Sequence, residues 1–272
     1  MEAIRRTRHA LDTHGFKHIL WRGIEYLSLQ TRPTSKLYWL IVPRFYGWKL
    51  SRQFTQYPNP PSPIVRYEVD PNSIIRCSSR GTAGDGVLND IGTVRSGKWD
   101  QRSPNWDENK LFYADRIDET LIYNAMKNRY KNDREWQETD FYEHVLQQVA
   151  RTGSRWHGCA SKAEVDHRCE QIDQLYEDIK EQGYKSQRDF REVGPSLSDP
   201  FGYINEYVME VAVDVSRNGE LLLVDGRHRL IIAQLLNLDE IPISIIVRHR
   251  QWIEQCANTE TREINLIKQV SD

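Results

Sequence analysis

The sequence predicts an α+β fold in which a small mixed sheet is flanked by helices. Apolar residues recur at helical spacing between positions 115 and 183, and a strand, turn, strand, helix and strand pattern follows between 210 and 247. The 272 residues suffice for a full hydrophobic core. We therefore divide the chain into a helical arm, a linker, a first strand with a large insertion, a core and a tail, at 1–56, 57–63, 64–154, 155–250 and 251–272.

The arm, residues 1–56, is basic and amphipathic, with ten Lys and Arg against three acidic residues. Its apolar spacing predicts helix interrupted near Gly15, followed by aromatic residues at Tyr38, Trp39, Phe45, Tyr46 and Trp48. Basic residues mixed with Trp and Tyr are typical of a lipid headgroup interface. A helical arm that packs on the domain or on a second subunit has the same pattern. An anionic membrane surface and a homo-oligomer contact therefore both remain as partners.

The next segments alternate proline-rich chain, loop and helix. Residues 57–63 hold four prolines and cannot continue a helix, whereas residues 64–69 read as a strand. A long polar loop is predicted over 77–110, and helices over 115–130 and 139–151. The second helix has Thr139 as its N-cap and Gly153 just past its end.

The clearest helix begins at Ser161, which forms a capping box with Glu164, and it ends at Gly183. Its buried face consists of Val165, Cys169, Ile172, Tyr176 and Ile179. Cys169 is thus a core thiol, so the pairs His157–Cys159 and His167–Cys169 do not indicate zinc. The four cysteines are scattered, which predicts reduced intracellular thiols. We expect core packing for the tryptophans at 99, 106, 136 and 156, with exposed ligand-binding rings as the alternative.

A hairpin, a helix and a strand complete the core. Residues 210–216 and 220–224 flank Asn218-Gly219, a strong hairpin turn signal. A helix then starts at Arg227 or His228, and a last strand covers 243–247. The basic run at 248–250 fits a nucleic-acid contact, and a strand end beside solvent explains it equally well.

Composition narrows the class of protein. A net charge of −2 gives no overall attraction for nucleic acid. The N-terminus lacks the apolar region of a signal peptide, and the longest apolar run, 37–42, is too short to span a bilayer. We therefore expect a cytoplasmic protein, attached at the inner face of the membrane if the arm binds lipid.

The chemistry is concentrated in the loop between the second hairpin strand and the helix. A helix start presents unpaired N–H groups and a positive dipole end to an anion. Gly226 permits close approach of a ligand, and the forks of Arg227 and Arg229 match phosphate oxygens. Asp225 is suited to Mg²⁺ or to proton transfer, and His228 to proton transfer or phosphate contact.

The run Gly219 to Leu230, followed by Leu235 to Ile243, resembles the ParB/sulfiredoxin superfamily. That pattern is a strand, a Gly-x-x-Arg or Gly-x-His-Arg turn, a helix, a leucine-containing turn and an Ile-Pro strand. Arg155, the 161–183 helix and the following 184–187 resemble the preceding half of the family domain. The resemblance covers about 150–250 and is strongest over 213–249.

Within that superfamily, the chain is most similar to the ParB-like free-serine kinases. Sulfiredoxins have a cysteine where this chain has Arg227, and partition proteins have a helix-turn-helix domain, whereas only 23 residues follow His249. The kinase resemblance implies that Mg²⁺ and a nucleoside tri- or diphosphate bind and that Asp225 is the metal or base residue. His228 is the second catalytic candidate, because its ring is suited to proton transfer. The implied nucleotide and phosphate contacts are Gly226, Arg227, His228, Arg229, Arg155, Lys185, Ser186 and Gln187. The family also uses an upstream glutamate, for which Glu68 and Glu138 are candidates, since Glu164 is explained by the capping box.

Taken together, these patterns predict a nucleotide-dependent phosphotransferase. Its acceptor would be a small molecule or a glycan or lipid precursor near a membrane. A non-catalytic nucleotide-dependent switch or scaffold is the alternative, and a DNA-binding regulator is the third and least favoured hypothesis.

Overall fold

The computed structural model describes the core of the chain and short parts of its arm. The described residues are 60–80, 90–105, 107, 109–186, 207, 210–259 and 263–271, with 41, 44, 45, 48, 50–52 and 54–58. Residues 1–40 of the arm, Trp106 and Gln187 lie outside the described residues.

Six described strands form one mixed sheet with flanking helices. The strands are β1 (Arg66–Val69), β2 (Arg76–Cys77), β3 (Thr93–Arg95), β4 (Val211–Val215), β5 (Leu221–Asp225) and β6 (Ile241–His249). The order is β1-β6-β4-β5-β2, and β3 pairs with β6 beyond the end of β1. The hairpin β4–β5 is antiparallel, whereas β4 and β6 are parallel and are connected through β5 and the helix that follows it.

The labelled helices are α1 (Leu121–Lys131), α2 (Asp140–Thr152), α3 (Lys162–Gln182), α4 (Arg227–Leu236), α5 (Arg250–Ala257) and α6 (Glu263–Ser271). Helix α4 contacts α1 and α3, so its first turn lies where the helical layer meets the sheet. None of the helices in the described part of the chain has the length and apolar composition that crossing a bilayer requires.

The central strands are buried on both faces, which explains why they read as nearly continuous apolar runs. Val213, Leu223 and Ile245 point into the larger core together with the helices. Ala212, Val224 and Ile246 point to a smaller cluster on the opposite face. The two faces thus follow from the alternation of side chains along each strand.

Several predicted elements are confirmed. Helix α2 has Thr139 as its N-cap, accepting a hydrogen bond from the Tyr142 N–H at 3.3 Å, and it ends at Gly153 in the left-handed region. All five residues of the predicted α3 face are buried. In the capping box of α3, Ser161 accepts from the Glu164 N–H, but the Glu164 carboxylate accepts from the Ala160 N–H at 2.6 Å.

Other predicted elements differ from the structure. The helix predicted over 115–130 begins only at Leu121, because residues 117–119 form a 3₁₀ turn and Thr120 caps α1. The loop predicted over 77–110 includes β3, which pairs with β6. The predicted tail, 251–272, includes α6 and most of α5.

The sequence indicated that the basic run at 248–250 could be a strand end beside solvent, but the run does not lie wholly beside solvent. Arg248 is fully buried, and its guanidinium donates to Glu263 at 2.7 and 2.9 Å. The same carboxylate accepts from Trp252 Nε1 and from the Tyr67 hydroxyl. This network joins α6 and α5 to the sheet, so Arg248 is unavailable as a surface contact for nucleic acid.

Candidate functional site

The loop between β5 and α4 is tightly packed against the start of β4. Gly226 has φ = +83°, and a Cβ placed there would lie 2.9 Å from Val211 Cα and 3.3 Å from the Glu210 carbonyl oxygen. The Asp225 Oδ1 atom accepts a hydrogen bond from the Gly226 N–H at 2.7 Å. Only glycine meets both the backbone angle and the close approach. The first N–H groups of α4 begin immediately after this turn.

The Arg227 side chain is held by aromatic rings. Its Cζ lies 3.9 Å from the centre of the Tyr113 ring and 5.0 Å from that of Phe112. The Tyr113 hydroxyl in turn donates to the Val224 carbonyl at 3.1 Å, which fixes the ring against β5. The buried Nε of Arg227 has no hydrogen-bond partner. Stacking therefore positions this guanidinium without using its Nε–H donor.

The His228 ring lies between the helix and a neighbouring turn. Its centre is 6.1 Å from those of both Trp156 and His157, and its buried Nε2 has no hydrogen-bond partner. Burial, together with the charges of Arg227 and Arg168, holds the pKa of His228 well below its usual value. The ring is therefore neutral at neutral pH, and one of its two nitrogens is able to accept a proton.

A buried carboxylate, Glu210, borders the loop on the other side. It precedes β4, is fully buried, and accepts from the Ser186 hydroxyl at 2.9 Å. Its carboxylate lies 3.7 Å from Arg66 Nε and 4.0 Å from Arg229 Nη1. The Arg229 Nη1 atom is itself buried without a hydrogen-bond partner. Glu210 thus links β1, α4 and the segment after α3.

Glu210 is a buried carboxylate beside the loop that was not among the glutamates suggested by the sequence, Glu68 and Glu138. Glu138 forms the cap of a short 3₁₀ turn with Glu135, and Glu68 is exposed on β1. A signal for Glu210 was nevertheless present, because it immediately precedes the apolar strand that pairs with the loop strand. A charged residue just before the strand that pairs with β5 is buried beside the loop between β5 and α4.

Arg155 stands at the base of a tight turn that faces α4. Its N–H donates to the Cys159 carbonyl at 2.9 Å, and its Cζ lies 5.4 Å from the centre of the Phe112 ring. Its Nη2 is 4.0 Å from Asp107, whose other oxygen accepts from the backbone N–H groups of Phe112 and Tyr113. The buried Arg155 Nε has no hydrogen-bond partner.

The predicted site residues therefore fall into three groups. The first surrounds the start of α4 and consists of Asp225, Gly226, Arg227, His228, Arg229, Arg155 and Ser186. Lys185 lies apart from them, since it is exposed and its Nζ donates to Gln182 at 2.6 Å. Gln187 belongs to the residues that are not described.

The donor set fits a metal ion only in part. Among the described residues, no three His, Cys, Asp or Glu side chains converge as a metal site. A Mg²⁺ ion at Asp225 would thus have one protein carboxylate in that part of the chain, which suits Mg²⁺ when phosphate oxygens and water complete its shell. Burial raises the pKa of the Cys169 thiol to about 12, which disfavours the thiolate that zinc requires.

Comparison with known proteins identifies no relative. No family model matches the chain, and no curated protein or solved structure shows significant similarity to it. The likeness to the ParB/sulfiredoxin superfamily accordingly rests on the loop motif and the order of elements.

Proposed function

We propose that this protein binds a nucleoside phosphate at the start of α4 and transfers a phosphoryl group from it to a small acceptor. The observation that carries the proposal is the set of buried polar atoms without hydrogen-bond partners at this one place, Arg227 Nε, His228 Nε2 and Arg229 Nη1. A buried polar group left unpaired costs about 1–3 kcal/mol. Two of these atoms have no partner among the described residues and Arg229 Nη1 has only a 4.0 Å ion pair with Glu210, which is explained if a ligand supplies the missing hydrogen bonds.

The roles of the loop residues follow from their placement. Gly226 supplies the positive φ with which the turn packs against β4 and leads into α4, and Arg227 and Arg229 would neutralise the phosphate charge. Asp225 would hold Mg²⁺, which when bound neutralises phosphate charge. Ser186 lies beside Glu210 at the edge of the same loop and is placed for a further phosphate contact.

Neutral His228 is the proposed base. The acceptor hydroxyl gives its proton to His228 Nε2, and its oxygen bonds to the terminal phosphorus of the nucleotide. The bond from that phosphorus to the bridging oxygen breaks, releasing the nucleotide shortened by one phosphate. Because phosphoryl transfer has a loose transition state, positioning and charge neutralisation matter more than a strong base.

A ParB/sulfiredoxin-like fold is part of the proposal. The hairpin, the Asp-Gly-Arg-His-Arg turn, the following helix and the last strand support it. The buried Glu210 supports the kinase-like branch, because it is a glutamate upstream of the loop and 4.0 Å from Arg229 Nη1.

Titration calorimetry with ATP and with CTP, each with Mg²⁺, tests nucleotide binding. We expect binding in the millimolar range or tighter, weakened about 10- to 100-fold in Arg229→Ala, because a charged hydrogen bond contributes roughly 1.5–3 kcal/mol. Arg116→Ala is the matched control, since that arginine is half-exposed and pairs only with Asp118 among the described residues. No binding at millimolar nucleotide, or equal binding by both variants, refutes the proposal.

A second assay separates catalysis from switching. Turnover of nucleotide in the presence of candidate acceptors, followed by ³¹P NMR, should fall strongly in His228→Gln while nucleotide affinity changes little. If nucleotide binds but no acceptor is phosphorylated by the wild-type protein, the phosphotransfer step fails and the non-catalytic switch replaces it.

The described part of the arm supports attachment to an anionic membrane. Ile41, Phe45 and Trp48 are 51, 43 and 58% exposed, and their spacing of four and three residues places them on one helix face. Arg44 lines the same open groove, and Arg52 lies 5.3 Å over the Trp48 ring. Apolar rings between arginines fit the headgroup region of a bilayer that carries negative charge.

Vesicle sedimentation tests this attachment. We expect binding to phosphatidylglycerol-containing vesicles, little binding to pure phosphatidylcholine, and loss of binding in Phe45→Glu/Trp48→Glu. The exposed Ile75→Glu variant is the control, because Ile75 is a single exposed apolar residue remote in sequence. If the wild-type protein does not bind anionic vesicles but elutes as a dimer, and the double variant elutes as a monomer, the helix face of Ile41, Phe45 and Trp48 binds a second copy of the protein instead.

A further inference from the structure

A second group of unpaired donors lies next to the loop, and it includes Arg155, which the family resemblance had assigned to the nucleotide. It comprises the turn at 155–158 and Arg168 of α3, here called the turn compartment. Trp156 is 4% exposed, and its buried indole Nε1 has no hydrogen-bond partner. The buried Nε atoms of Arg155 and Arg168 also have none.

The indole Nε1 of Trp156 is one of two buried tryptophan donors without a hydrogen-bond partner among the described residues, the other being that of Trp99. The other two fully described buried tryptophans find carboxylates, Trp136 at Asp173 (2.9 Å) and Trp252 at Glu263 (3.1 Å). Buried indole N–H groups normally have such acceptors. The Trp156 ring is anchored edge-to-face on Phe141 at 5.0 Å, so packing fixes the ring but leaves its donor unpaired.

The turn compartment adjoins the loop through two histidines. His157 and His228 have ring centres 6.1 Å apart, and the Arg168 charge contributes to the lowered pKa of both, after the larger effect of burial. Arg227 acts on both rings as well. The Arg168 charge therefore acts on both histidines, and the Trp156 ring, 6.1 Å from that of His228, joins the two donor groups.

The donors define the chemistry of the ligand. Arginine Nε–H and indole Nε1–H groups can only donate, so the ligand must offer acceptors. They come from separate elements, the turn and α3, and the one ion pair among them in the described part of the chain joins Arg155 Nη2 to Asp107 Oδ1 at 4.0 Å, which leaves the Arg155 Nε donor unpaired. A multi-oxygen, tetrahedral anion satisfies donors from several directions better than a planar carboxylate does.

We propose that the turn compartment binds a phosphoryl group already present on the acceptor, so that the acceptor is a phosphomonoester. This rests on the proposed function, because the loop across from it is taken to hold the nucleotide. His228, at the boundary of the two compartments, then faces the hydroxyl of the acceptor while the acceptor phosphate is held by Arg155, Trp156 and Arg168.

Binding of inorganic phosphate and of Mg²⁺–ATP to the full chain tests the proposal. Trp156→Phe removes the indole N–H but keeps an aromatic ring, and Arg168→Gln removes the charge but keeps a polar chain. We expect phosphate affinity to fall about threefold to tenfold in Trp156→Phe and about 10- to 100-fold in Arg168→Gln. Mg²⁺–ATP affinity should change less than about twofold in both variants.

Trp99→Phe is the matched control. Trp99 also has a buried Nε1 without a hydrogen-bond partner, but it packs in the smaller cluster on the opposite face of the sheet. The Trp99→Phe substitution should leave phosphate affinity unchanged. In wild-type protein, phosphate should also raise the pKa of His228 followed by NMR, because a nearby anion favours the protonated ring.

The outcomes separate this inference from the proposed function. If Arg229→Ala abolishes phosphate binding while Trp156→Phe and Arg168→Gln leave it unchanged, phosphate occupies the loop and the inference is overturned. If ATP fails to bind but phosphate binding depends on Trp156 and Arg168, the turn compartment is supported as a phosphate site and the proposed nucleotide function is refuted. Acetate binding as tightly as phosphate overturns the assignment of a phosphoryl group. If the Arg168→Gln variant does not fold, the phosphate affinity of the Trp156→Phe variant alone decides whether the inference holds.

Discussion

Replacing Gly226 with alanine should destabilise the protein and abolish nucleotide binding. The new Cβ would lie 2.9 Å from the Val211 Cα and 3.2 Å from Arg229 Nη2. Val211 begins the central strand β4 and is completely buried, so its backbone cannot move without disturbing the pairing with β6. The loop must therefore shift away from β4, and Asp225 and Arg229 shift with it.

The magnitude follows from two separable contributions. A left-handed backbone costs a non-glycine residue about 1–2 kcal/mol. Overpacking against a buried backbone adds about 1–3 kcal/mol. Gly153→Ala isolates the first contribution, because Gly153 has a nearly identical φ of +81° but nothing within 4 Å of the added Cβ. We expect the free energy of unfolding to fall by about 1–2 kcal/mol in Gly153→Ala and by about 2–5 kcal/mol in Gly226→Ala.

Urea unfolding followed by circular dichroism measures both variants under the same conditions. Equal destabilisation of the two would show that the loop does not approach β4 as closely as the structure indicates. Nucleotide titration provides the second readout. A Gly226→Ala protein that is destabilised but still binds ATP normally would refute the assignment of the phosphate site to this loop.

Three further predictions concern the buried charge, the histidine and the thiols. Glu263→Ala should lower the free energy of unfolding by about 3–5 kcal/mol, because it leaves the buried Arg248 cation unpaired; a urea midpoint equal to wild type would contradict the network. The pKa of His228 is lower in the folded than in the unfolded protein, where it has its ordinary value of 6.5. The free energy of unfolding should therefore decrease as the pH falls below 6.5, by up to about 1.4 kcal/mol per pH unit. In His228→Gln, urea midpoints measured from pH 7 to 5 should depend less on pH. Ellman's reagent at pH 8 should label none of the four cysteines before unfolding, because all are buried and burial raises the pKa of Cys77 to about 11 and of Cys169 and Cys256 to about 12.

Local sequence patterns predicted an element correctly where the interactions that determine it lie within a few residues of one another. The Asn218-Gly219 turn, the Thr139 cap of α2 and the apolar face of α3 all appear where the sequence predicted them. Each depends on neighbours close in the chain, such as a cap hydrogen bond or a repeat of three and four residues. The sequence likewise identified the glycine at the start of α4, because Asp225-Gly226 interrupts the strand pattern just before the helical pattern begins.

Pairings between distant residues were not predictable in the same way. Arg248 was expected at the surface, but Glu263 lies in a helix that docks its carboxylate against β6. Nothing in the local sequence distinguishes a buried arginine from an exposed one, because the partner that compensates its charge is contributed by another element. The strand β3 was missed for a similar reason, since its three residues are ordered by pairing with β6.

For the candidate site, the sequence by itself determined the loop, its glycine and its two flanking arginines. Only the tertiary structure decided what surrounds them, with Glu210 on one side and Trp156 and Arg168 on the other. The physical reason is that the loop's conformation is set by a local requirement for positive φ, whereas its charge balance is set by groups that the sheet and helices bring together from about 100 residues of chain.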